Sequence, residues 1–124
     1  MTQPLSGKKI LIVEDEPVFR SLLDSWLASL GAITITAVDG IDGLEKLTSQ
    51  VPDLLICDLA MPRMNGLKLV EQIRNDGHQL PILVISATEN MSDIAKALRL
   101  GVQDVILKPV KDLNRLRETV FSCL

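Results

Sequence analysis

Short apolar runs and longer stretches with helical spacing alternate along this chain. Lys8 to Val13 ends in four apolar residues and is closed by Glu14-Asp15-Glu16, and Leu54 to Cys57 is apolar without alternation and is closed by Asp58. Runs of that kind suit strands buried on both faces of a parallel sheet. Ile33 to Ala37, Ile82 to Ile85 behind Pro81, and Asp104 to Leu107 supply three more predicted strands. Between them the period changes to helical. Val18, Leu22, Leu23, Trp26, Leu27 and Leu30 follow Pro17, whose missing N–H costs nothing in a first helical turn, and Gly31 ends that helix. Ile41, Leu44 and Leu47 form the inner stripe of a second helix after the turn Asp39-Gly40, and Pro52 marks its end. Leu67, Val70 and Ile73 give a third helix, ending near Asp76-Gly77. Ile94, Ala97, Leu98 and Leu100 are expected to face inward from a fourth, stopped by Gly101, and a last helix from Lys111 carries Leu113, Leu116, Val120 and Phe121. Met1 to Gly7 reads as a short polar lead-in. Five strands alternating with five helices predict an α/β fold, a doubly wound five-stranded parallel sheet with right-handed crossovers.

Composition narrows this further. The 124 residues suffice for one domain, and with 47% hydrophobic but only 2% aromatic residues the core must be aliphatic. A net charge of −3 and a pI near 5.1 offer no basic field for nucleic acid, so direct nucleic-acid binding is not expected. Ile10 to Val13 is too short for a signal or membrane segment, which leads to the expectation of a cytoplasmic protein without membrane contact. Cys57 falls on a predicted buried strand and Cys123 on the last helix; they lack CxxC spacing, so packing is their expected role.

Four of the predicted strands end in polar residues with chemical capacity: Glu14 and Asp15, Asp58, Ser86 and Lys108. In an open parallel sheet, ligands bind in the crevice beyond the carboxyl ends of the strands, so these residues are expected to converge. Each has a plainer role open to it: Glu14, Asp15 and Glu16 as a solvated helix start, Asp58 as a turn residue, Ser86 as a helix start, Lys108 as a surface lysine. Jointly, three carboxylates imply a cation, and an all-oxygen set suits Mg²⁺. The set fits phosphoryl transfer to a carboxylate, with Asp58 as acceptor, Asp15 as metal ligand, Glu14 acting through a metal-bound water, and Lys108 with Ser86 holding the product. Rival chemistries fit less well. An Asp-nucleophile phosphatase would want an acid where Ala60 stands, and a nucleotide site would want glycines where Glu14-Asp15-Glu16 stands. A serine hydrolase would need a G-x-S-x-G turn and a partner histidine, but Ser86 sits in Val-Ile-Ser-Ala-Thr and the single histidine, His78, is expected in an exposed loop.

The acid pair Glu14-Asp15, the loop Asp58-Leu59-Ala60-Met61-Pro62-Arg63-Met64-Asn65-Gly66, Ser86-Ala87 and Lys108-Pro109 together resemble the receiver domains of two-component response regulators, over the whole chain. The resemblance implies strand order 2-1-3-4-5, Mg²⁺ coordinated by Asp15, Asp58 and the Ala60 carbonyl, and a cis Lys108-Pro109 peptide. It implies a small-molecule or histidine-kinase phosphodonor, and a phosphoryl acceptor with self-phosphorylation and dephosphorylation chemistry only, not an enzyme in the wider sense. In the family the hydroxyl at the Ser86 position moves inward on phosphorylation, and an aromatic residue three before the lysine follows it. That place is Val105 here, so an aromatic reporter is not expected, while the face of the fourth helix, fifth strand and fifth helix remains the expected signalling surface. Within the family, Leu5 to Asp24 and Ile85 to Leu124 resemble the N-terminal domains of enterobacterial adaptors that deliver the stationary-phase sigma factor to the ClpXP protease and are inhibited by anti-adaptors. This implies those three partners, and it implies that residues 1–124 are a receiver fragment lacking a C-terminal effector domain. A receiver controlling a DNA-binding or other output domain is the alternative.

Overall fold

A computed structural model describes residues 3–124. Its elements run β1 (Lys9–Val13), α1 (Pro17–Ser29), β2 (Ile33–Ala37), α2 (Gly40–Gln50), β3 (Leu54–Cys57), α3 (Gly66–Asn75), β4 (Ile82–Ser86), α4 (Met91–Arg99), β5 (Asp104–Leu107) and α5 (Leu113–Cys123). The strands form one parallel sheet in the order β2-β1-β3-β4-β5. The order reverses at β1, so the loops after β1 and β3 open a crevice between adjacent strands at one edge of the sheet.

The unbroken apolar runs follow from burial on both faces. Alternate residues of each central strand feed opposite layers. Ile10, Ile12, Leu54, Ile56, Leu83 and Ile85 pack with Leu23 and Leu27 of α1 and Leu116 and Val120 of α5. Leu11, Val13, Leu55, Cys57, Ile82 and Val84 pack instead with Leu47 of α2, Leu69, Val70 and Ile73 of α3, and Ala97 of α4. Both cysteines are free and buried, as packing residues would be.

The helix starts are fixed by side chains that satisfy otherwise unpaired N–H groups. Glu16 accepts from the N–H groups of Val18 and Phe19 at α1, Asp39 from Asp42 at α2, Asn65 from Lys68 at α3, Asn90 from Ser92 and Asp93 at α4, and Asp112 from Arg115 at α5. Two glycines allow close approach at the crevice. A Cβ on Gly66 would lie 1.8 Å from the Asp58 carbonyl oxygen, and one on Gly40 would lie 2.4 Å from that of Met64.

Several apolar positions at helical spacing, including Ile41 and Leu98, which were expected to face inward, point to solvent. Val18 and Leu22 are 65% and 62% exposed, and Ile41, Leu98 and Leu113 are exposed as well. A helix lying on a sheet presses only a narrow stripe against it. In α1 that stripe is Leu23 and Leu27, and residues to its side stay in water. The lead-in is not wholly polar in role either. Leu5 is buried among the α1 and α5 residues and its N–H donates to the Leu30 carbonyl, while Met1 and Thr2 lie outside the described residues. α5 begins two residues later than expected, because Asp112 caps it.

Leu27→Ala is expected to cost about 2–5 kcal/mol in urea denaturation, as a fully buried leucine. Leu22→Ala is expected to stay within about 0.5 kcal/mol of the parent. Equal losses would mean that α1 buries a wider face than described.

Candidate functional site

All the strand-end residues converge at the carboxyl edge of β1, β3, β4 and β5. Asp58 directly follows β3, and its N–H donates to the Val13 carbonyl at the end of β1. Its carboxylate is nearly buried. Oδ1 accepts from the Ser86 hydroxyl at 2.5 Å and from the Ala60 N–H at 3.1 Å, and Oδ2 accepts from Lys108 Nζ at 3.0 Å. Ser86 closes β4, is fully buried, and accepts from the Thr88 N–H. Lys108 Nζ also donates to Glu14 Oε1 at 2.5 Å, and Glu14 Oε2 accepts from the Glu16 N–H. Asp15 is exposed, yet carboxylate oxygens of Glu14, Asp15 and Asp58 all lie within 4.8 Å of one another. Ala60 lies at the rim of the same cluster.

Three acidic groups gather around one ammonium, which pairs with Glu14 and Asp58 only, so the cluster carries excess negative charge. Burial raises the Glu14 carboxyl above its ordinary value, against the opposing hydrogen bond from Lys108. Burial works against the Lys108 ammonium, but hydrogen bonds to Glu14 and Asp58 outweigh it and hold the lysine above its ordinary value. The donor set is all oxygen, and its charge excess would be relieved by a divalent cation, which is the environment that Mg²⁺ takes. The residues therefore fit a metal. Cys57, next to Asp58, is not a competing nucleophile: burial pushes its thiol up to about 12.

Glu14, Asp15, Asp58, Ser86 and Lys108, expected to converge, do lie together in the structure. The Lys108–Pro109 peptide is cis, as expected. Val105 stands apart, half-buried on β5 beside the α3 and α4 layer. Three neighbours were not foreseen. The Phe19 ring lies 4.5 Å from Lys108 Nζ and backs the ammonium with its π face. Arg20 Nη1 donates to the Glu14 and Asp15 carbonyls, steadying the acidic loop. Arg63 pairs with Asp39 across two loops. Phe19 and Arg20 follow Pro17 closely in the chain, which was the one available hint, whereas no spacing rule links residues 39 and 63.

A family model described as the response regulator receiver domain matches residues 10–121. The chain belongs to this family. It is 77% identical over 124 residues to the Regulator of RpoS of Escherichia coli, a match that takes in 100% of this chain and 37% of that relative. The chain thus spans little more than a third of the length of that relative. Among solved structures it is similar to the N-terminal domain of a Wolinella succinogenes protein, at 33% identity and TM-score 0.89, covering 94% of each chain. It is also similar to the response regulator TrrA of Thermotoga maritima in complex with Mg²⁺ and BeF, at 30% identity and TM-score 0.84, covering 94% of this chain and 99% of that one. No helix of the described residues is long and apolar enough to cross a membrane.

The raised Glu14 carboxyl has a pH consequence. Its proton is held more tightly in the folded state than in the unfolded one, so this group contributes stability below pH 4.5 that is lost as pH rises through its folded-state value. In metal-free protein, the stability of the parent minus that of Glu14→Gln should therefore fall between pH 4.5 and neutrality in urea denaturation. A difference that stayed level or rose with pH would show that pairing with Lys108, not burial, governs this carboxyl.

Proposed function

We propose that this receiver domain accepts a phosphoryl group on Asp58 in the presence of Mg²⁺ and thereby controls delivery of the stationary-phase sigma factor to the ClpXP protease. The observation that carries the first part is the buried Asp58 carboxylate held by Lys108, Ser86 and the Ala60 N–H at the sheet edge. Asp15, Asp58 and the Ala60 carbonyl would hold the metal directly, with Glu14 acting through water. Bound there, Mg²⁺ would supply charge neutralisation for the phosphoryl oxygens. A carboxylate oxygen of Asp58 attacks the phosphorus of a small-molecule phosphodonor or of a histidine kinase's phosphohistidine. The new O–P bond forms as the bond to the leaving group breaks. Lys108 keeps the ammonium in place to pair with the added charge, about −1.5 to −2 at neutral pH for a phosphoryl group. Ser86 supplies a hydroxyl donor at the same point.

The second part rests on 77% identity across the whole chain to a protein named Regulator of RpoS. On that reading the partners are the sigma factor, ClpXP and anti-adaptors, and an effector domain follows residue 124. The α4, β5 and α5 face transmits the state from Ser86 without an aromatic reporter at Val105.

Acetyl phosphate with Mg²⁺ should add one phosphoryl group, located by mass spectrometry on Asp58 and absent in Asp58→Asn. Mg²⁺ at about a hundred times its dissociation constant should stabilise the fold by roughly 2.7 kcal/mol, and Asp15→Asn should lose that gain. Phosphorylation elsewhere, or an equal gain in Asp15→Asn, would refute the site. For the output, the full-length protein should accelerate ClpXP degradation of the sigma factor. Promoter binding with unchanged degradation would leave only the receiver reading standing.

A further inference from the structure

The segment between Asp58 and α3 carries Ala60 and reaches the surface before Gly66 turns it back. Its tip holds a residue in an unfavourable conformation. Arg63 has φ 60, in the left-handed region where a side chain clashes with its own backbone and glycine is the usual occupant. A non-glycine residue held there calls for an explanation in what its side chain does. The Arg63 guanidinium reaches the Asp39 carboxylate, Nε to Oδ2 at 2.5 Å, and Asp39 is buried while Arg63 is half in solvent. Asp39 is the N-cap of α2, with its other oxygen accepting from the Asp42 N–H, so it cannot swing to follow the arginine. The next residue completes a second tie: the Gly40 N–H donates to the Met64 carbonyl at 2.9 Å, at an approach too close for any Cβ. The tip of the acceptor loop is thus fastened to the rigid start of α2 by adjacent backbone and ion-pair links.

We propose that Arg63, acting through Asp39, is a positioning residue for phosphorylation: it fixes the loop so that Ala60 and Asp58 stand ready for the cation. This rests on the receiver reading above. The pair spans residues 24 apart and touches neither Asp58 nor Lys108, so its influence passes through the backbone of residues 60–64. Being part-exposed, it contributes modestly, and the expected effect is correspondingly moderate.

The test separates positioning from stability by exploiting the strained backbone. Arg63→Gly relieves the left-handed conformation, so its metal-free urea midpoint should equal or exceed that of the parent, while its Mg²⁺ dissociation constant, followed by NMR titration, should rise roughly fivefold. Arg63→Lys should recover part of the affinity. Asp39→Asn, which retains a capping oxygen, should weaken Mg²⁺ to a similar extent, and combining it with Arg63→Gly should add nothing further. Unchanged affinity in Arg63→Gly, additive losses in the double variant, or parallel falls in stability and affinity would each overturn the proposal. If the parent chain bound no Mg²⁺, the receiver reading would fall and this one with it. Parent binding with an indifferent Arg63→Gly would overturn this one alone.

Discussion

One ammonium shared between two buried carboxylates is the interaction on which this structure turns. Lys108 reaches back from the end of β5 to Glu14 after β1 and to Asp58 after β3, so a single side chain crosses the crevice made by the reversal of strand order. Removing charges from water at a sheet edge is costly, and the pairings offset this only because hydrogen bonds satisfy the remaining oxygens. Those bonds come from Ser86, from the N–H groups of Ala60 and Glu16, and from Lys108 itself. Even so, the acids outnumber the ammonium. The fold holds Asp15 close to this excess charge, and among the described residues no second cationic side chain pairs with the three carboxylates, which makes the edge receptive to a cation from solution.

The order of elements was legible because both signals that encode it are strong. Unbroken apolar runs at β1, β3 and β4 mean burial on both faces, and the two layers of core residues bear this out strand by strand. Pro17, Gly31 and Gly101 punctuate the helices near where the sequence suggested. The inward stripes were less legible. Val18, Leu22, Ile41, Leu98 and Leu113 share the periodicity of buried neighbours but stand on the flanks of their helices. Periodicity reports which residues lie on one side of a helix, and it does not report how wide a contact the underlying sheet allows.

The site was legible for a topological reason. In a parallel sheet every strand ends at the same edge, so a polar residue directly after an apolar run is carried to a shared place whatever its distance along the chain. Glu14 and Asp15, Asp58, Ser86 and Lys108 are carried there in this way. Phe19 is not, because it comes from the first turns of α1, and its contact with Lys108 depends on the angle at which the helix leaves the sheet. Nor are Asp39 and Arg63. Asp39 looked like a turn residue and is one, but its second oxygen is engaged by a side chain whose direction depends on a left-handed backbone that no local pattern announced.

The absence of an aromatic at Val105 does not isolate the site from the far side of β5. Val105 pairs in register with Val84 and packs with the α3 and α4 layer, away from the Asp58 carboxylate. The shorter connection runs through the main chain. Ser86 donates its hydroxyl to Asp58 while its carbonyl accepts the Lys108 N–H at 2.8 Å, so one residue touches the carboxylate with its side chain and the lysine's backbone with its own. Lys108 in turn binds Asp58 through Nζ, closing a ring of three residues from three strand ends. A group added to Asp58 would meet the Ser86 hydroxyl and the Lys108 ammonium first, since both contact the carboxylate. Lys108 precedes the segment that enters α5, and Ser86 is tied to it by that backbone bond. The buried serine and the lysine thus link the carboxylate to the β5–α5 connection through contacts in which Val105 takes no part.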